Sequence, residues 1–117
     1  KMSIRTEKVA AVIKEGTAIV LERELNFTIS GIVTVTDVKV SNDLRNAKIY
    51  VSIFHQEESK EDVIRKLNFE KKQIKFALSK KVYLKFMPEI TFYLDETYDK
   101  AQRIDSLLKQ IHKDENI

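Results

Sequence analysis

The stretch Ser59-Lys60-Glu61-Asp62-Val63-Ile64-Arg65-Lys66-Leu67-Asn68-Phe69-Glu70-Lys71-Lys72-Gln73-Ile74-Lys75-Phe76-Ala77-Leu78 decides how the rest of the chain is read. Ser59 through Asp62 has the form of a capping box, in which a hydroxyl satisfies an amide three residues on and acidic side chains sit at the positive end of a new helix. Val63, Ile64 and Leu67 then share one helical face. The next positions of that stripe are Glu70 and Lys71, and Phe69 falls on the opposite side, before Ile74, Ala77 and Leu78 restore the pattern. A single straight helix would turn charge towards the core, so the periodicity predicts a kink or break between Asn68 and Gln73.

Working outward, Ala47, Ile49, Val51 and Ile53 alternate with Lys48, Tyr50, Ser52 and Phe54, as in a half-buried strand. Before it, Ile32 to Val40 is rich in β-branched residues, with Val33 and Val35 in one phase and Val38 and Val40 in the other, which points to a bulge or bend. Ser41-Asn42-Asp43 supplies turn chemistry between the two, so an antiparallel hairpin is expected. Upstream, Arg5 to Glu24 reads as a helix with Val9, Val12, Ile13, Gly16, Ile19 and Val20 towards the core. Downstream, every even position from Val82 to Leu94 is apolar, which predicts a third strand, interrupted or edge-exposed at Pro88 because proline cannot donate to a ladder. A last helix, opened by Thr97, carries Ala101, Ile104, Leu108 and Ile111 on one face.

The predicted order is helix, strand, strand, helix, break, helix, strand, terminal helix. Helices gathered on one face of a three-stranded sheet satisfy the layer rules for an α+β domain, and this order is that of the type II KH fold, an RNA-binding architecture. At 117 residues the chain suits one domain, spanning 1–117 with its core over 5–95 and the terminal helix over 97–113. Hydrophobic residues form 43% and charged residues 33%, which favours a folded core under a charged exterior. Nothing resembles a membrane span or a secretory leader, so a cytoplasmic protein is expected. The absence of cysteine removes disulfides, thiolate metal sites and cysteine nucleophiles.

Charge is unevenly spread. Residues 1–64 sum to −1 and residues 86–117 to −3, whereas Arg65 to Lys85 holds eight basic residues against Glu70 alone, a net +7. Such a block suits a polyanion, because lysine and arginine displace condensed counterions from phosphates. Composition by itself leaves a solvated helix face equally open.

Several short motifs together resemble the ribosome-binding factor A family. They are Arg5 with Val9 at the start of the first helix, Val38 and Ser41 through Asp43-Leu44, Ala47-Lys48-Ile49-Tyr50-Val51, and Pro88-Glu89-Ile90-Thr91-Phe92 ending in Asp95. The resemblance implies a KH-like protein that attaches to the small (30S) ribosomal subunit, binds 16S rRNA, assists its processing and maturation, and matters in cold growth. It implies no catalysis. KH domains clamp a nucleic-acid backbone with a GXXG loop between two helices, and this family resembles them with an Ala-x-Gly kink instead. Here Glu70-Lys71-Lys72 stands at that site, so the chain departs from both patterns. The family's Asp-Pro-Arg after the first helix is likewise unmatched by Leu25-Asn26-Phe27-Thr28.

The leading candidates for RNA contact are Lys71, Lys72 and Lys75, at and just after the break, where helix amides and basic side chains could meet phosphate oxygens. Lys80, Lys81 and Lys85 follow, and Arg5, Lys8 and Arg45 extend the set. Arg5 and Lys8 oppose a helix dipole and could simply be solvated. Tyr50, Phe54, Tyr83 and Tyr93 fall on the strand faces opposite the apolar stripes and could stack on unpaired bases, or pack beneath a helix. His55 and His112 are too isolated for a metal site, and Ser41, Asp43 and His55 lack a nucleophile elbow. Two distant glycines, Gly16 and Gly31, permit neither a P-loop nor GxGxxG. The expectation is therefore a monomeric, non-enzymatic RNA-binding protein without cofactor, metal or small-molecule substrate. The alternative is a protein-interaction module whose basic face is only solvated.

Overall fold

Val33, Val35, Val38 and Val40 cannot all face one side of a regular strand, since side chains alternate along it. The computed structural model, which describes residues 4–24, 31–54 and 57–97, resolves the conflict with a bulge. Strand β1 (Ile32–Val40) pairs antiparallel with β2 (Asn46–Phe54), Val35 opposite Val51 and Asp37 opposite Tyr50, which leaves Thr36 as the inserted residue. Val35, Val38 and Val40 thereby all reach the buried face, beside Ala47, Ile49, Val51 and Ile53 of β2. The connecting turn is held by Ser41 and Asp43. The Ser41 hydroxyl donates to Asp43 Oδ1 (2.6 Å) and accepts from the Asn46 amide (3.0 Å), while the Arg45 amide donates to Asp43 Oδ1 (3.1 Å). These bonds hold the Asp43 carboxyl below the usual carboxylate range, the Ser41 hydroxyl being the largest cause.

Helix α1 (Ile4–Glu24) lies over β1. Its buried face is Thr6, Ala10, Ile13, Gly16, Thr17, Val20 and Leu21. Val12 and Ile19, expected in the core, are each 36% exposed. They stand roughly 100° or more around the helix from Ile13, and the small Gly16 and polar Thr17 take the central places that a search for large apolar residues passes over. Helices α2 (Lys60–Phe69) and α3 (Lys71–Lys81) follow, with Ser59 as the N-cap of α2 and its hydroxyl accepting from the Asp62 amide (3.1 Å). Val63, Leu67, Ile74 and Leu78 are buried, so both halves of the broken stripe meet the same core.

The third strand, β3 (Glu89–Leu94), runs parallel to β2 from Asn46 opposite Glu89 to Val51 opposite Leu94, giving a mixed sheet in the order β1-β2-β3. The expectation of a strand from Val82 is corrected: residues 82–88 form bends and irregular backbone, and the ladder begins only after Pro88. β2 itself begins at Asn46, so it offers residues before Glu89 nothing to pair with. Apolar alternation there reflects side packing, with Val82, Leu84 and Met87 partly buried and Phe86 exposed. Three helices against one face of a three-stranded sheet form the α+β, KH-like arrangement, the two strands and broken helix pair in the expected order. The terminal helix expected over 97–113 lies outside the described residues, apart from Thr97.

Candidate nucleic-acid interface

The break between α2 and α3 is a single residue. Glu70 has φ −92° and ψ 7°, its amide donates to the carbonyls of Lys66 and Asn68, and its carbonyl accepts from the Ile74 amide (3.0 Å). Because φ is negative, no glycine is needed at this turn. Asn68, two residues earlier, fixes where it sits. Asn68 Nδ2 donates to the Phe92 carbonyl (3.1 Å) and Asn68 Oδ1 accepts from the Phe92 amide (2.8 Å), so the amide clamps the outer edge of β3.

This arrangement presents the first turn of α3 with Lys71 and Lys72 and without an acidic residue or side-chain cap. Cations at a helix N-terminus add to the positive end of the dipole, so the local field favours an anion. Lys75 follows in the next turn of α3. Its ammonium forms an ion pair with Glu89 Oε1 (2.5 Å), at the start of β3. The Glu89 carboxyl is held below its ordinary range, first by the hydrogen bond from Lys75 and its charge, then by the charges of Lys71 and Lys72. Lys75 therefore anchors α3 to β3, and Lys71 and Lys72 remain the forward cations of the group.

Beside Glu89 a concavity opens where the N-terminus of α1, the hairpin turn and the Val82–Pro88 segment meet. Arg5, Arg45 and Lys85 line it together, with Tyr83 and Phe86 and the carboxylates of Asp43 and Glu89. Three residues far apart in sequence and weak as separate candidates thus form one group. Lys8 stands exposed on α1 and is not in that lining. Lys80 and Lys81 close the last turn of α3, where cations complement the dipole, and the Lys80 ammonium sits 4.4 Å from the centre of the Phe76 ring.

Four aromatic rings lie in or beside this basic segment and are open to solvent: Phe69 at 86% exposure, Phe76 at 63%, Tyr83 fully, and Phe86 at 75%. Phe69 is off the core-facing stripe, as its periodicity predicts, whereas Phe76 and Phe86 are surface features that the sequence pattern does not single out. The signal available for Phe76 is its place between the buried positions Ile74 and Leu78. Tyr83, expected on a strand face, stands instead in the irregular segment before β3. Among the described residues no group of three His, Asp or Glu side chains could hold a metal ion, and no helix is long and apolar enough to cross a membrane.

Fold and surface together define a KH-like α+β domain in which a one-residue turn replaces the glycine loop and a basic, aromatic-studded surface surrounds that turn. The family model described as ribosome-binding factor A matches residues 5–108, and the chain belongs to that family. It is 44% identical to ribosome-binding factor A of Chlorobium phaeobacteroides, over 97% of this chain and 99% of the relative. The corresponding protein of Chlorobium limicola is 41% identical, over 96% of this chain and 95% of the relative. The crystal structure of ribosome-binding factor A from Thermus thermophilus superposes with a TM-score of 0.66 at 22% identity, covering 76% of this chain and 94% of that one. A homology model of the same Thermus protein, fitted into a cryo-EM map of its complex with the 30S subunit, gives 0.61 at 22% identity, covering 74% and 90%.

Proposed function

We propose that this chain is a non-catalytic assembly factor that binds the small ribosomal subunit through 16S rRNA and assists the processing and maturation of that subunit in the cytoplasm. The observation that carries the reading is the coincidence of the +7 block with four solvent-exposed aromatic rings around the α2–α3 turn and the Arg5–Arg45–Lys85 concavity. A merely solvated basic face has no need of exposed phenylalanines, whereas nucleic-acid surfaces combine cations for phosphates with rings for bases. Membership of the ribosome-binding factor A family, and the 30S complex of the Thermus relative, support the partner. Involvement in rRNA processing and in cold growth follows from the family resemblance.

Lys71, Lys72, Lys80, Lys81 and Lys85 carry the phosphate contacts in this reading, with Arg5 and Arg45 at the concavity; Lys75 contributes by holding α3 on β3. The test is co-sedimentation with small subunits in a gradient at two salt concentrations. Wild-type protein travels with the subunit at low salt and is released as salt rises. Lys71→Glu with Lys72→Glu abolishes the association at low salt and leaves thermal unfolding nearly unchanged, because both lysines are surface residues outside the core. Undiminished association of that double variant would remove the α3 N-terminus from the interface. Exposure of Phe69 and Phe76 favours a second reading, contact with a ribosomal protein, which predicts partners that survive nuclease treatment in a pulldown.

A further inference from the structure

The sheet face turned away from the helices is built differently from the rest of the surface. Tyr50 of β2 and Tyr93 of β3 are cross-strand neighbours with ring centroids 5.7 Å apart and planes inclined by 30°. Two register steps nearer the hairpin turn, Lys39 of β1 lies directly opposite Lys48 of β2, with Thr91 of β3 completing the row. The Lys39 ammonium sits 5.4 Å from the Tyr50 ring centre and the Lys48 ammonium 5.8 Å from that of Tyr93. Like charges placed directly across a pair of strands destabilise a sheet. The cation–π contacts offset part of that repulsion, and the rings that the cations cover are amphipathic. Among the described residues no helix lies on this face, and Tyr93 is 40% exposed.

We propose that this sheet face is a stacking platform for unpaired RNA bases, with Tyr50 and Tyr93 receiving the bases and Lys39 and Lys48 the flanking phosphates. The inference rests on the RNA-binding reading above and deepens it by naming single-stranded RNA as the ligand of a surface separate from the α3 lysines. The pairing of two lysines with two rings, and its continuity with the concavity at the hairpin turn, select the occupant. Lys39 and Lys48 lead from the hairpin turn, where Arg45 lines the basic concavity, onto the two rings, so a strand leaving the concavity over the turn meets cations and then aromatics. Three acids share this face, each with its own partner: Asp37 Oδ1 accepts from the Val38 amide (2.9 Å), Asp95 accepts from the Thr36 hydroxyl (2.6 Å) and the Thr97 amide (2.9 Å), and Glu89 pairs with Lys75. An exposed cation–π contact is weaker than stacking of a base on the same ring, so an arriving base can displace each ammonium, which then turns to the phosphate.

The experiment uses the full chain and two probes of equal length and charge: an alternating adenylate–cytidylate RNA of about ten nucleotides, which cannot pair with itself, and its abasic counterpart. The base-bearing RNA binds more tightly and shifts the Tyr50 and Tyr93 ring signals upfield in NMR, while the abasic strand leaves them in place. Tyr93→Ala removes the advantage of the bases, a loss of about tenfold, and Tyr93→Phe retains it. Lys71→Glu with Lys72→Glu weakens both probes alike. Ring signals unmoved by the base-bearing RNA in the wild-type protein overturn the proposal without reliance on any variant. So does a base-dependent advantage that survives in Tyr93→Ala. Binding of the abasic strand with nothing added by bases removes the sheet face alone, whereas failure of both probes removes the RNA reading with it. Ring signals that respond only to nuclease-treated subunit proteins assign the face to a protein and overturn the proposal.

Discussion

A methyl group added at Gly16 would come within 2.5 Å of Val82 Cγ1 and 2.6 Å of Leu78 Cδ1. The missing side chain is what lets α1 close on the end of α3. Gly16→Ala gains about 1 kcal/mol of helix propensity, but overpacking of this kind costs typically 1–3 kcal/mol. Since Leu78 is fully buried, the expected outcome is a net loss of about 1 kcal/mol, read as a lower urea midpoint at unchanged slope. Gly16 was legible as a member of the core-facing stripe; its contact with Val82 was not, because periodicity reports which face is buried and not what lies against it. At the other end of the sheet, Asp95 binds the bulge residue Thr36, and its amide donates to the Val51 carbonyl (2.7 Å), so one side chain joins the outer strands across β2. Hydrogen bonds from Thr36 and then Thr97 hold its carboxyl below the ordinary range. A carboxyl lowered in the folded state adds stability above its unfolded pKa of about 3.9, and that stability is lost as pH falls through the lower folded value. Asp95→Asn should therefore lower the melting temperature at neutral pH, with the gap to wild type closing below about pH 4 in a series of thermal melts.

Among the elements, the α2–α3 junction was the most legible, because Glu70 and Lys71 interrupt an apolar stripe that Ile74 resumes. What the stripe did not reveal is the clamp between Asn68 and Phe92, since a polar residue near a break reads simply as part of the turn. β3 is an edge strand, and its outward amide and carbonyl at Phe92 would otherwise be left to water or to another chain. Asn68→Ala leaves both groups without their partner and is expected to destabilise the fold by about 1–3 kcal/mol, with faster amide exchange at Phe92 as the local sign. The start of β3 was misread for the complementary reason. Alternation through Val82, Leu84 and Phe86 looks like a strand, but a strand needs a neighbour to bond to, and β2 begins only at Asn46, opposite Glu89.

Across the whole molecule, the charge block was visible as a count and became a surface only in three dimensions. Arg5, Arg45 and Lys85 are separated by some forty residues at each step and meet at one concavity, a juxtaposition that no local pattern contains. Lys75, conversely, looked equivalent to Lys71 and Lys72 in sequence and is distinguished by Glu89, fourteen residues later. With about five lysines neutralising phosphates, log affinity should fall against log salt with a slope near −3.5 on single-stranded RNA and near −4.5 on a duplex. Equilibrium binding at several salt concentrations measures this slope, and a value near zero would mean that the block does not face phosphates. The mixed sheet has a consequence of a different kind, for the order in which the chain can assemble. β1 and β2 are joined by a short turn and can zip locally, but β3 reaches β2 only after both α2 and α3 have been threaded between them. Closing so long a loop is an entropic barrier that hairpin formation does not share, and parallel pairing of this sort slows folding. The strand that completes the sheet, and with it the half of the tyrosine pair supplied by Tyr93, is therefore expected to pair last, which pulse-labelled amide exchange at Phe92 during refolding would check.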